Sequence, residues 1–375
     1  MADNELTRSV AVATAECYVG AMQLILAPRV PNDAPLPDAA QLALGRDLHA
    51  RFPQALLREL ALVRARELDE RADPTGATRV WLALESLQVT GSFKVRGALV
   101  AIAAIKDAAA RSGSKAPHVV AASAGNHGAG VAYAARVLGV RATIVVPSSV
   151  PRAKRDRIVA YGAEVRLGPT THYDDAESLA IELASREGAR FLSPYDDMDV
   201  LIGNGSSLGY EIARALGAVP RALVAPLGGG GLASGIACAF ADVARESLGD
   251  VRRVWGAQSE ACPAMARSLE AGAAIERMGA PEGTLAEALE GGISARGFAR
   301  AAASIAGVGV VSERAIGEAI AYAVRELGVV IEGGSACALA VTLASLPVAM
   351  RGGDFVVLLS GRNIDKESIE HALAL

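Results

Sequence analysis

From about Pro117 onward the chain alternates short apolar, β-branched runs with longer alanine- and leucine-rich stretches of helical period. The short runs predict strands at 118–121, 142–146, 164–167, 190–193, 222–225, 251–257 and 355–359. The longer ones predict helices at 128–138, 150–161, 174–185, 207–216 and 233–248. An earlier strand-like run at 80–84 gives way to a helical pattern at 95–110. Such alternation joins parallel neighbours by right-handed crossovers and covers both faces of a sheet with helices, so the fold class is α/β. Two sheets are needed. Residues 115–192 hold a compact set of strand–helix repeats, read as a small lobe inserted into a large one formed by 51–114 and 193–375. A cleft between lobes is where a ligand commonly binds. Residues 1–50 differ, because Pro28, Pro31, Pro35 and Pro37 interrupt any helical pattern. That segment is expected to be an arm or lid.

Composition narrows the function. Of 375 residues, 51% are apolar and only 4% aromatic, so Ala, Val, Leu and Gly must fill the core. The net charge is 37 − 41 = −4, with no basic stripe interleaved with aromatics, which speaks against nucleic acid as a partner. Cys17, Cys238, Cys262 and Cys337 are dispersed, without a Cys-x-x-Cys pair. That argues against a disulfide framework or zinc site and suits a reducing cytosol. The start Met-Ala-Asp-Asn-Glu lacks the basic beginning of a secretion signal, and the expected location is cytoplasmic. The longest uncharged stretch, 222–241, contains four consecutive glycines after a proline and reads as strand, loop and helix rather than a membrane span.

Four segments carry candidate chemistry. In Thr90-Gly91-Ser92-Phe93-Lys94, a lysine stands among small, uncharged neighbours at a strand-to-helix junction. Burial lowers a lysine's pKa from about 10.4 and frees its amine to attack a carbonyl; the alternative is a lysine that caps a loop. Gly228-Gly229-Gly230-Gly231 opens a helix after a strand. There, backbone N–H groups and the helix terminus suit a phosphate, whereas a plain tight turn would need only one glycine. Ser123-Ala124-Gly125-Asn126-His127 also lies between a strand and a helix and suits a carboxylate, or else supplies an ordinary cap through Ser123 or Asn126. His127 is a candidate base or a structural histidine. Ser360-Gly361-Arg362-Asn363 ends the last strand, where ligands of open α/β sheets bind, or marks a turn.

In this order and spacing the four segments resemble the fold-type II pyridoxal-phosphate enzymes, over about residues 50–375. Within these the chain looks like the serine/threonine dehydratase branch, which includes threonine ammonia-lyases, serine racemases and hydroxyaspartate dehydratases. Thr-Gly-Ser-Phe-Lys separates it from the cysteine synthase branch, whose lysine sits in a Ser-x-Lys-Asp context. The resemblance implies two lobes, each a mostly parallel twisted sheet covered by helices, and pyridoxal 5′-phosphate as cofactor. Lys94 would form the Schiff base, and Phe93 would lie beside the cofactor ring. Asn126 would meet the ring hydroxyl, and Ser360 the pyridine nitrogen. Gly228, Gly229, Gly230 and Gly231, with Leu232, would bind the phosphate. Ser123, Ala124, Gly125, Asn126 and His127 would hold the substrate carboxylate. The implied activity is dehydration and deamination of a 3-hydroxy amino acid such as L-threonine or L-serine, in a homodimer or higher homo-oligomer.

Departures from the family pattern bear on the substrate. Racemases of this kind carry a second serine where this chain has Ala124, so racemisation is expected to be poor. The metal-dependent relatives' Gly-Val-Glu-Pro segment reads Gly256-Ala257-Gln258-Ser259, and no divalent metal is expected. An altered segment at 286–292 leaves open a bulkier or acidic substrate, or a protein that binds cofactor without turnover. β-Replacement with a second nucleophile is a further alternative.

Overall fold

The computed structural model describes residues 16–19, 22–28, 34, 36–113, 117–248, 252–278 and 283–375. In chain order its strands are β1 (Glu16–Val19), β2 (Met22–Leu26), β3 (Leu62–Arg64), β4 (Thr78–Leu84), β5 (His118–Ala122), β6 (Arg141–Val146), β7 (Glu164–Leu167), β8 (Arg190–Phe191), β9 (Ala222–Pro226), β10 (Val254–Ser259), β11 (Gly307–Val311) and β12 (Gly353–Leu359). Eight of them form one sheet in the order β1-β2-β11-β10-β9-β12-β4-β3, and four form a second, β7-β6-β5-β8. The second is wholly parallel. The first is parallel from β11 to β4 and antiparallel only at its edges.

Residue alternation along the central strands explains the layering. In β12, Phe355, Val357 and Leu359 face one core, which the helix Gly333–Leu343 also enters. Val356 and Leu358 face the other, shared with the helix Gly231–Ala244. In β5 of the small sheet, Val119 and Ala121 face one cluster while Val120 and Ala122 face its opposite. Both sheets are thus buried on two sides, which is why their strands read as continuous apolar runs.

The structure revises several expectations. Within the segment 1–50, regular structure flanks the prolines among the described residues. β2 pairs antiparallel with β11, and Ala39–Arg46 is a helix whose cap Asp38 accepts from Gln41 N at 2.8 Å. The run Met22-Gln23-Leu24-Ile25-Leu26 carried this signal, but it was masked by the prolines that follow. Pro31 and Pro35 lie outside the described residues, as does Val251, so β10 is seen from Val254. The strand expected at 190–193 is only two residues long. β11 was missed because glycines usually weaken a strand. Here they are required: a Cβ on Gly307 would lie 2.5 Å from Ile25 O and 2.8 Å from the Trp255 ring. Helices at Ala264–Ala271, Ala295–Ser304, Glu313–Arg325, Gly333–Leu343 and Lys366–Ala374 were also not anticipated. No helix among the described residues is long and apolar enough to cross a membrane. Cys238, Cys262 and Cys337 are free and buried.

Candidate active site

Three of the sequence-flagged segments follow the carboxyl ends of parallel strands in the large sheet. Lys94 comes after β4, the glycines after β9, and Ser360 after β12. The lysine and serine loops are stitched together directly. Ser92 bridges to Gly361, Phe93 N donates to Ser360 O at 3.0 Å, and Arg362 N donates to Gly91 O at 2.9 Å. Lys94 opens the helix Lys94–Ser112 and donates from Nζ to Pro194 O at 3.3 Å. Its ammonium lies 5.2 Å from the Phe93 ring centroid and 5.4 Å from that of Tyr195. Burial pulls its pKa down to about 8, against an opposing pull from the Glu332 carboxylate.

The glycine loop separates packing demands from spare room. Gly230 has φ +87° and caps the helix Gly231–Ala244, and a Cβ on Gly229 would meet the Tyr195 ring at 2.7 Å. Gly228 and Gly231 have no such neighbour: a Cβ there would find its closest protein atoms at 3.9 and 3.4 Å. Two glycines therefore serve the fold, and two leave a bare backbone approach of the kind a phosphate uses. Leu232 follows, part-buried against the core. Ser360 Oγ lies 3.2 Å from Ser335 Oγ, and Ser335 in turn accepts from Gly361 N and donates to Gly361 O, each at 2.9 Å.

Residues 56–361 match the family described as pyridoxal-phosphate dependent enzyme. The chain belongs to this family. Pyridoxal phosphate is accordingly its cofactor, and the chemistry of the lysine, bare glycine loop and terminal serine fits that group. L-Threonine ammonia-lyase of Thermotoga maritima is 40% identical over 210 residues, 56% of this chain and 49% of the relative. The catabolic L-threonine dehydratase TdcB of Escherichia coli is 39% identical over 193 residues, 52% and 55% of the two chains. Each match spans about half the length of these relatives. Among solved structures, the processed form of threonine deaminase isoform 2 from Solanum lycopersicum superposes with a TM-score of 0.76 at 27% identity, over 93% of this chain and 97% of that one. The two-sheet architecture is thus that of fold-type II enzymes.

The small sheet brings a fourth segment to this candidate site. Asn126 opens the helix Asn126–Leu138, whose N-cap is Gly125 with no side-chain cap bond. Ser123 Oγ instead accepts from Gly125 N at 3.1 Å, so neither Ser123 nor Asn126 acts as the ordinary cap. Asn126 is clamped across the two sheets. Its Nδ2 donates to both Glu332 oxygens at 2.9 Å, and its Oδ1 accepts from Asn363 Nδ2 at 2.6 Å. Asn363 N also donates to Glu332, and Asn363 Nδ2 to Thr90 O. This fixes which end of the Asn126 amide faces which way. His127 is buried, with Nε2 donating to Leu192 O at 3.1 Å, while burial and the nearby Lys94 charge depress its pKa to about 3. Its Nε2–H anchors the Leu192 carbonyl, its Nδ1 is buried without a partner, and so low a pKa makes it a weak base.

Gln258 uses both ends of its amide inside the protein: Nε2 donates to Leu227 O and Oε1 accepts from Ala266 N, each at 2.9 Å. It secures the residue before the glycine loop. The segment 286–292 forms a short turn at Glu287–Leu289, tied to the small sheet's side by Lys154 Nζ and Glu287 Oε2 at 2.6 Å. Sequence reasoning gave no role to Glu332, Ser335, Tyr195 or Asn363. Asn363 stood within a quoted motif, and Glu332 precedes a Gly-Gly pair at a helix start. Tyr195 gave no signal.

Proposed function

We propose that this protein is a pyridoxal-phosphate-dependent ammonia-lyase that carries out α,β-elimination on a 3-hydroxy amino acid, L-threonine or L-serine, yielding a 2-oxo acid and ammonia. The observation that carries this reading is Lys94: a lysine amine with its pKa near 8, beside the bare glycine loop and within a residue of the Ser360 strand. The names of the relatives similar to this chain support it. When bound, the cofactor withdraws electrons from the amino acid's α-carbon, which is what makes elimination accessible.

The chain's own residues would divide the remaining work. Gly228, Gly229, Gly230, Gly231 and Leu232 would hold the phosphate; Phe93 would flank the ring. The clamped Asn126 would present its amide to the ring oxygen, and Ser360 its hydroxyl to the ring nitrogen. The segment Ser123 to His127 would bind the substrate carboxylate, through the amides other than those of Ser123 and Gly125, which donate to Val145 O and Ser123 Oγ. Lys94, neutral for part of the time at physiological pH, would take the α-proton. We assign 51–114 with 193–375 to one wall of the cleft and 115–192 to the other.

A racemase would need a proton donor at position 124, and Ala124 offers only a methyl group. Assaying a panel of 3-hydroxy amino acids for ammonia release separates the readings. L-Threonine or L-serine is expected to release ammonia well ahead of any D-serine formation. Comparable rates of D-serine and pyruvate would replace elimination by racemisation, and no ammonia from the whole panel would refute lyase activity.

The pKa of Lys94 makes a second prediction. Only the neutral amine attacks a carbonyl, and its fraction rises as pH climbs through about 8. Stopped-flow absorbance should show cofactor capture by the apoprotein accelerating through pH 8 and levelling above it. A rate still rising steeply toward pH 10 would mean an ordinary, solvated lysine.

A further inference from the structure

Tyr195 is fixed in place by its neighbours, yet its hydroxyl is uncommitted. Its N–H and that of Asp196 donate to Ser193 Oγ at 3.3 and 3.1 Å. Asp196 is held in turn by Ser294 Oγ at 2.8 Å. On the preceding side, Pro194 O accepts from Lys94, and Leu192 O from His127. The ring is wedged between two parts of the candidate site. One face looks toward Lys94 Nζ at 5.4 Å from the centroid, and its Cγ and Cδ1 lie within 2.9 Å of where a Cβ on Gly229 would stand. Whatever joins Lys94 to the glycine loop must run past this ring.

The Tyr195 hydroxyl makes no hydrogen bond to any described residue. The neighbouring Tyr173 contrasts with it, because its hydroxyl is committed to Glu177 Oε1 at 3.2 Å and Ala122 O at 3.4 Å. A part-buried ring beside the reactive amine, anchored on both sides, with Glu177 as the charged neighbour of its hydroxyl and the donor unspent, is arranged to meet a ligand.

Resting on the elimination reading above, we propose that Tyr195 is a substrate-contacting residue whose hydroxyl donates a hydrogen bond to the oxygen on the substrate's β-carbon. It orients the C–O bond that breaks and selects substrates bearing an oxygen there over those with an apolar β-substituent. Burial, with the Glu177 charge, raises the phenol to about 12, so Tyr195 stays a donor throughout the neutral range and does not cycle as a base. That keeps it distinct from a racemase's second base.

The variant Tyr195→Phe keeps the ring wedge and removes only the donor. One hydrogen bond is worth about 1.4 kcal/mol, roughly tenfold. The ratio of kcat/KM for L-serine over that for β-chloro-L-alanine, whose leaving group needs no such donor, should fall by roughly that factor. An unchanged ratio would overturn the assignment. A second arm needs no turnover: calorimetry of the holoprotein with 3-hydroxypropanoate and with propanoate. The wild type should favour the hydroxy acid and Tyr195→Phe should lose that preference; equal preference in both proteins would also overturn it. If the wild type releases ammonia from neither amino acid, the elimination reading fails, and the calorimetric arm alone decides Tyr195.

Discussion

Replacing Lys94 with alanine should abolish turnover, lowering kcat by on the order of 10³-fold or more, as expected when the residue that both binds the reacting carbonyl and moves the proton is removed. The wild type should also show a visible absorption band from the lysine-linked cofactor. The variant should lose that band while still binding the phosphate at the glycine loop. Because Lys94 is part-buried and makes one hydrogen bond, to Pro194 O, its loss should leave folding largely intact. Circular dichroism and a thermal melt provide that control. A variant that kept both band and activity would move the chemistry to another residue.

Replacing Arg96 with methionine should destabilise the protein by about 3–5 kcal/mol without touching the reacting groups, because it strands two buried carboxylates. Arg96 and Glu85 are each 0% exposed and Glu211 6%. The guanidinium donates to both oxygens of each carboxylate. Glu211 also accepts from His49 Nε2 and Leu60 N, each at 2.9 Å, so the loss would loosen the chain around residues 49–60 as well. Urea unfolding should report the change, and a loss below about 1 kcal/mol would mean that water enters to solvate the carboxylates. The pH dependence has a definite sign. Burial opposes ionisation of Glu211, but Arg96 and His49 outweigh it and hold the carboxyl at about 2, below its ordinary 4.5. Its ionised form therefore stabilises the fold above about pH 4.5, and that contribution is lost as pH falls toward 2. The acid limb should be shallower in Arg96→Met.

Much of the architecture was legible because it depends on local pattern. The strands flanking Ser123, Gly228 and Ser360 are apolar runs buried on both faces, and the helix Ser207–Leu216 falls where its periodicity put it. What escaped was set by distant neighbours. β2 and β11 exist as strands because each covers the other's edge, and the glycines of β11 make sense only against the Ile25 backbone and the Trp255 ring.

The site divides in the same way. The sequence by itself determined the family and singled out the lysine, the glycine loop and the terminal serine as candidates, since each is a short motif at the end of a strand and its chemistry follows from residue type. Only the tertiary structure decided how those groups are held. It set Glu332 and Asn363 on either side of the Asn126 amide, placed Tyr195 between Lys94 and Gly229, and spent Gln258 and His127 on backbone carbonyls. The physical reason is range. A helix start or strand end is encoded within a few residues, whereas a hydrogen bond between residues 126 and 332, or a ring wedged between 94 and 229, appears only once packing has brought remote segments within about 3–5 Å.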